Sequence, residues 1–322
     1  MINKILYIIL LSFVFGQQSN VGTTAAAFLG NGIGSKAMGM GGAFTSMIDD
    51  PSTLYWNPGA VSLSSQNQFQ LSHVDWFIDT KWTYSAYIHK LENNNVVGIN
   101  LIYFDLGEEE ITTINDQDGT GDYWNAYDVS IGICYSKKLT DRFSFGIGGK
   151  YIRQVIDLAS ASGFALDLGL IYQTENNFRL GATISNIGSD MQMRGDGLIA
   201  DCESNNSCYY DTDSWPLPIF YKLGFSKDFI FNKNLSFITS VDWVIPMDDV
   251  EHINTGFELG FKDKFFVRSG FRQIGKNDTE ESFTFGLGGN LFVVGKEIEI
   301  NYTYQDYGLW GYMQYFEFIF NI

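Results

Sequence analysis

The side chains able to do chemistry are few and scattered. His73, His89 and His252 are the only histidines, and no Ser/His/Asp or metal-ligand spacing surrounds them. Glu297 and Glu299 alternate along one strand-like stretch and so share a face, as the two acids of a carboxylate dyad would. Lys150, Lys222, Arg268 and Arg272 sit at comparable strand positions, and bases of this kind offset the burial of acids. Internal ion pairing is therefore the predicted role of these six residues, and no catalytic residue is assigned. Cys202 and Cys208 bracket five residues, the spacing of a small disulfide-closed loop in an oxidising compartment. A metal pair is the other reading of that spacing, but no histidine lies near. Cys134 stands alone and is expected to be a small buried residue.

Two further stretches imitate ligand-binding motifs. Asn115 to Asp122 reads like a calcium loop, but placing Gly119 at the invariant glycine puts Ile114 first and Asn125 last, where acids are required. An acidic surface loop over 107–122 is the reading that remains, with carboxylates that still attract hard cations. The glycine run from Gly30 follows no strand, and Lys36 lacks the glycine, lysine, Ser/Thr order of a phosphate cradle. No metal site, cofactor or enzyme activity is expected.

What must position these residues is visible in the composition. The 322 residues carry 37 acids against 20 bases, a formal charge of −17 that repels nucleic-acid phosphate and excludes a nucleic-acid partner. Aromatics reach 16 %, which a disordered acidic chain lacks. Glycine is high at 34 residues and proline low at 5, as in all-β proteins. Lys4 followed by the apolar run Ile5 to Phe15, interrupted by Ser12, predicts a secretory signal over residues 1–16, cleaved near Gly16-Gln17. No cysteine sits at that point, so a lipoprotein is not expected. Beyond Phe15 no apolar run approaches the roughly 18–20 residues of a membrane helix.

Period-2 alternation then runs through 66–322. Phe316, Phe318, Phe320 and Ile322 share one face opposite Glu317, Ile319 and Asn321. Ile298, Ile300, Tyr302 and Tyr304 oppose Glu297, Glu299, Asn301 and Thr303. Phe257, Leu259 and Phe261 oppose Glu258, Gly260 and Lys262, and Tyr127 to Tyr135 oppose Asp128, Ser130, Gly132 and Cys134. One face is large and apolar. The other is small, glycine-rich or charged, which suits the crowded interior of a barrel whose outer face meets lipid. About fourteen strands follow, an even number, with short turns at one end and longer or acidic connections such as 188–215 at the other. Aromatics near strand ends (Trp76, Trp82, Trp124, Trp215, Trp243, Phe265, Phe266, Trp310 and Tyr312) are assigned to interfacial girdles. The fold class predicted is an all-β transmembrane antiparallel barrel in a bacterial outer membrane, with membrane lipid as its surroundings.

Residues 30–65 do not alternate, and 17–65 are read as a segment ahead of the barrel. Asp49-Asp50-Pro51-Ser52 caps a predicted short helix through Thr53 to Trp56, which Asn57-Pro58-Gly59 ends. A compact apolar segment ahead of the first strand is expected to fold back into the lumen as a plug. Ala37-Met38-Gly39-Met40-Gly41-Gly42-Ala43-Phe44, then Asp49-Asp50 and Leu54-Tyr55-Trp56-Asn57-Pro58, resembles the N-terminal signature of PorV/PorQ-type outer-membrane proteins. These belong with the FadL-like superfamily of fourteen-stranded barrels. Asn57-Pro58 resembles that superfamily's Asn-Pro-Ala plug motif, and Tyr55 to Gly59 are the plug residues the resemblance marks. The third position departs from the motif: Gly59 stands there and Ala60 follows. The resemblance implies either support of type IX secretion, with a secretion pore or exported proteins as partners, or passive transport of a small hydrophobic molecule. The external connections are acidic and polar, which favours the first.

Overall fold

The computed structural model describes residues 21–200, 208–277, 279–293 and 295–322. The predicted signal over 1–16 lies outside them, as does Cys202. Fourteen long antiparallel strands form the body: β1 (Gln68–Asp75), β2 (Lys81–Lys90), β3 (Asn95–Glu110), β4 (Tyr123–Lys138), β5 (Phe143–Ile156), β6 (Ala159–Gln173), β7 (Phe178–Gly188), β8 (Phe220–Asn232), β9 (Leu235–Pro246), β10 (His252–Phe261), β11 (Phe265–Ile274), β12 (Phe283–Val293), β13 (Lys296–Asp306) and β14 (Tyr312–Asn321). Each pairs with its sequence neighbour, and β14 returns to pair with β1 from Gln68↔Asn321 to Asp75↔Gln314, so the sheet closes. The long connection 189–219 adds a small extra pairing, Arg194–Gly195 against Ala159 and Ser160 at the end of β6.

The side-chain alternation has the opposite sense to that of a water-soluble protein. Ile131, Ile133, Phe257, Leu259, Phe285, Leu287, Phe316 and Phe318 point outward and are exposed, whereas Ser130, Glu258, Asn301, Thr303 and Glu317 are buried. A continuous apolar exterior of this size has no place in water and matches the hydrocarbon of a bilayer, where closure leaves no strand edge unpaired. No helix among the described residues is long and apolar enough to cross a membrane. The turns after β2, β4, β6, β8, β10 and β12 are short, while the connections after β3 and β7 are long. Short turns therefore mark the periplasmic end and the longer connections the external end.

Two details differ from the expectation. Glu108, Glu109 and Glu110 are not in a loop but on β3, paired with Asn125, Trp124 and Tyr123 beyond a bulge after Asp105. Strands β3 and β4 are 16 residues long, more than the roughly 9–11 a bilayer needs, so these acids stand on a ribbon outside the membrane. Trp82 does not belong to a girdle. It is 2 % exposed and packs inside the barrel against Phe28, Trp76 and Phe104. The inward face of β2 (Trp82, Tyr84, Ala86, Ile88) is apolar because it lies against the N-terminal segment rather than against water. Cys134 is buried and free on the inward face of β4.

Candidate functional site

The interior holds residues 25–64 of the same chain. Their regular pieces are brief: a helical turn α1 (Ser35–Gly39), a second α2 (Thr53–Trp56), and 3-10 turns at Ala27–Gly30 and Pro58–Leu63. The Asp50 carboxylate accepts from the Ser52 amide (2.8 Å) and hydroxyl (2.6 Å), which sets the start of α2. Asp49 accepts from the Ser65 amide (2.8 Å) and ties the end of the segment back to its middle. Asn57 ends α2 in an extended conformation and caps the following turn by accepting from the Gly59 amide at 2.9 Å. Its amide group donates to the carbonyls of Thr45 (2.6 Å) and of Leu170 on β6 (3.0 Å), so one side chain joins two parts of the segment to the wall.

Glycines on the inward face let backbone meet backbone. Gly146 and Gly169 lie against Pro58 and Gly59, Gly181 and Gly224 against Thr45 and Ser46, Gly256 and Gly270 against Met40 and Gly41. A Cβ on Gly59 would stand 2.7 Å from the Gly169 carbonyl oxygen, which explains glycine where the related motif has alanine. Gly41 combines a φ of +65° with the same crowding against Phe271.

Charge fixes the rest. Asp242 on β9 accepts from the Phe44 and Thr45 amides, both at 2.8 Å. Glu317 on β14 accepts from the Ser35 amide (2.8 Å), from Asn301 (2.9 Å) and from Gln70. Lys36 on α1 reaches Asp50 (3.8 Å) and Glu299 (3.9 Å). Burial alone would lower the Lys36 pKa, but Glu299 and Asp50 outweigh it and hold the ammonium above its ordinary value. Burial raises the Asp50 carboxyl above the usual range, against the pull of Lys36 and the Ser52 bonds. Arg179 on β7 donates to the Ser46 carbonyl (3.1 Å) and grips Asp228.

The bases and acids singled out in the sequence fall as follows. Arg268 donates to Glu258 (2.5 Å), Asn301 (2.6 Å) and Glu299 (3.3 Å) and is 1 % exposed. Arg272 pairs with Glu281 (2.6 Å) and Lys150 with Asp167 (2.8 Å). Lys222 is buried with its ammonium over the rings of Trp56, Tyr55 and Phe220. Glu297 joins no base in this set; it accepts from Asn321 at 3.1 Å and is half-buried. Tyr55 donates to the carbonyls of Leu29 (3.0 Å) and Asn31 (2.9 Å), and Trp56 to that of Ile33 (3.1 Å). The backbone pairs Cys208–Tyr209 with Ile199–Ala200, and the proposed partner thiol of Cys202 is outside the described residues. No part in holding the segment is expected of Lys36, Asp50, Asp242 and Glu317 from sequence alone; for Asp242 and Glu317 the signal available was an acid on the inward face of its strand.

No three His, Cys, Asp or Glu side chains gather as a metal site among the described residues. At the external mouth a cavity of 280 Å³ is lined by the segment, including Ala27, Asn31 and Trp56, and by charged, polar and apolar residues from β8 to β11 and their connections.

A closed fourteen-stranded barrel with a lipid-facing exterior and a charged interior defines a β-barrel protein of the outer membrane. The toluene transporter TodX of Pseudomonas putida is similar in fold over 90 % of this chain and 99 % of its own, at 14 % identity and a TM-score of 0.58. The toluene transporter TbuX of Ralstonia pickettii matches over 90 % and 97 %, at 13 % identity and 0.57. A Pseudomonas aeruginosa FadL homologue matches over 94 % and 97 %, at 11 % identity and 0.52. At these identities the likeness is one of fold. No curated protein sequence matches. Residues 15–243 match the family described as "Type IX secretion system protein PorV", and the chain belongs to that family. It is a type IX secretion-related barrel of the outer membrane.

Proposed function

We propose that this barrel serves type IX secretion as a holder, keeping an exported protein or the secretion pore at the external face, with residues 17–65 acting as a fixed plug. The observation that carries this reading is the way the N-terminal segment is bound. Asp242, Glu317, Asn57 and Arg179 each tie segment to wall, and the ties come from β6, β7, β9 and β14. A segment held from so many sides leaves a lumen suited to support rather than to flow. The charged and polar groups of the external cavity agree with protein contacts. The test is gentle purification of the tagged chain from native outer membranes, with partners identified by mass spectrometry. Recovery with a large pore or with exported proteins is the expected result. Recovery of the barrel alone would sink a stable export assembly.

A second reading, passage of a small hydrophobic molecule, is favoured by one feature. A groove on the outer wall runs over Ile131, Ile133, Phe164 and Ile187 to Gly149 and Lys150. It lies beside the register shift between Leu166 and Leu168. On this reading, replacing Asn57 and Pro58 with alanine changes solute uptake into liposomes; unchanged uptake counts against it.

A further inference from the structure

Lys222 is the base of the interior that the network of ion pairs does not use. It is 8 % exposed and sits three residues into β8, near the external end. Its Nζ lies 4.8 Å from the Trp56 ring centroid, 5.3 Å from that of Tyr55 and 5.4 Å from that of Phe220. Rings favour a cation but accept no ordinary hydrogen bond, and an ammonium has three donors to satisfy. Among the described residues no carboxylate pairs with it and no oxygen accepts from it. The other charges on the same walls are engaged: Arg272 with Glu281 at 2.6 Å, Lys276 with Asp249 at 2.5 Å, Asp248 with the Thr24 hydroxyl at 2.6 Å. Lys222 faces the 280 Å³ cavity, which reaches the exposed rim at Val21 and Gly22.

We propose that this cavity is a binding site for a single carboxylate group, with Lys222 as its anchor. A buried ammonium seated on rings, attracted by Asp242 but not in ion-pair contact with it, gains a charge-assisted hydrogen bond when a carboxylate enters. The walls carry Asp248, Asp249 and Glu281 against Lys222, Arg272 and Lys276, and Arg272 and Lys276 are already paired, so Lys222 is the base left for one singly charged group. Two neutral polar residues, Asn254 and Asn31, line the same space. The volume lies just below the usual range for small-molecule pockets, so it fits a small organic acid or the end of a peptide chain. The site stands apart from the export reading, because it needs nothing but this chain.

Binding is measured by calorimetry on the purified full chain in detergent micelles. The probes are acetyl-triglycine, its C-terminal amide and benzoate. Acetyl-triglycine is expected to bind, the amide about tenfold more weakly or worse. Lys222→Gln should weaken the acid by a similar factor, whereas Lys222→Arg should stay within about threefold of the parent. Displacement of the peptide by benzoate assigns the site to free carboxylates; binding of the peptide acid without displacement assigns it to chain ends. Equal binding of acid and amide overturns the proposal, as does unchanged binding in Lys222→Gln or no binding of any probe. Gel heat-modifiability reports whether each variant is folded. Should Lys222→Gln fail to fold, the acid-to-amide comparison on the parent protein decides.

Discussion

At the scale of single residues, the interior is held by side chains that serve several partners at once. Arg268 shows this most clearly, since its guanidinium serves Glu258, Glu299 and Asn301 at once. Removing it strands Glu258 and leaves Glu299 with the longer contact to Lys36, and the uncompensated charge costs about 3–5 kcal/mol. Arg268→Met should therefore unfold at clearly lower urea or temperature in gel-shift assays, although methionine fills the same space. Gly59 shows the steric side of the same economy. Gly59→Ala makes the motif more like Asn-Pro-Ala, yet it presses a methyl group onto the Gly169 carbonyl. We expect it to destabilise the seated segment by about 1–3 kcal/mol, seen as faster cleavage of residues 25–64 by an added protease. A more resistant segment would contradict the geometry described for this turn.

At the scale of elements, the strands were legible and the segment was only partly so. Alternation such as Ile298-Glu299-Ile300-Asn301 reads directly, because lipid and lumen impose opposite demands on neighbouring residues. It misleads at β2, where the large apolar residues Trp82, Tyr84 and Ile88 face inward while Thr83 and Ser85 lie on the other face; Trp82 turns inward because Phe28 and Phe104 lie there to receive it. The helical turn at Thr53–Trp56 was legible from its local capping residues. The bonds from Asp242 to Phe44 and Thr45 were not, since they join positions 197 and 198 residues apart. Nothing short of the closed barrel brings such groups together. The lipid face itself makes a prediction. Phe257 points outward in β10, so Phe257→Arg should cost up to about 2–4 kcal/mol, as for a cation near the bilayer midplane. Urea titration of folding into vesicles checks it, with Phe257→Leu as the near-neutral control.

At the scale of the whole molecule, the question is whether the segment moves. Ser35 and Thr303 hydroxyls stand 3.1 Å apart, α1 against β13, close enough for a disulfide once both are cysteine. The double variant Ser35→Cys, Thr303→Cys locks the segment to the wall under oxidising conditions. A holder should support secretion equally well locked or reduced, measured as exported protein at the cell surface. Secretion lost on oxidation and restored by reductant would mean that the segment must shift, and would turn attention to the outer-wall groove by Gly149. Family membership fixes the system in which this barrel works.

The seam between β1 and β14 carries one more consequence. Ser35 binds Glu317 across 282 residues of sequence, and Glu317 sits in the very strand that zips onto β1. The first part of the chain to emerge thus waits for the last before it finds its place. Insertion and closure become a single event in which the wall wraps its own tenant. An assembly intermediate lacking β14 should expose the whole N-terminal segment to protease and have the slow kinetics of long-range contacts. Ring closure then serves as the checkpoint at which a half-made barrel is told apart from a finished one.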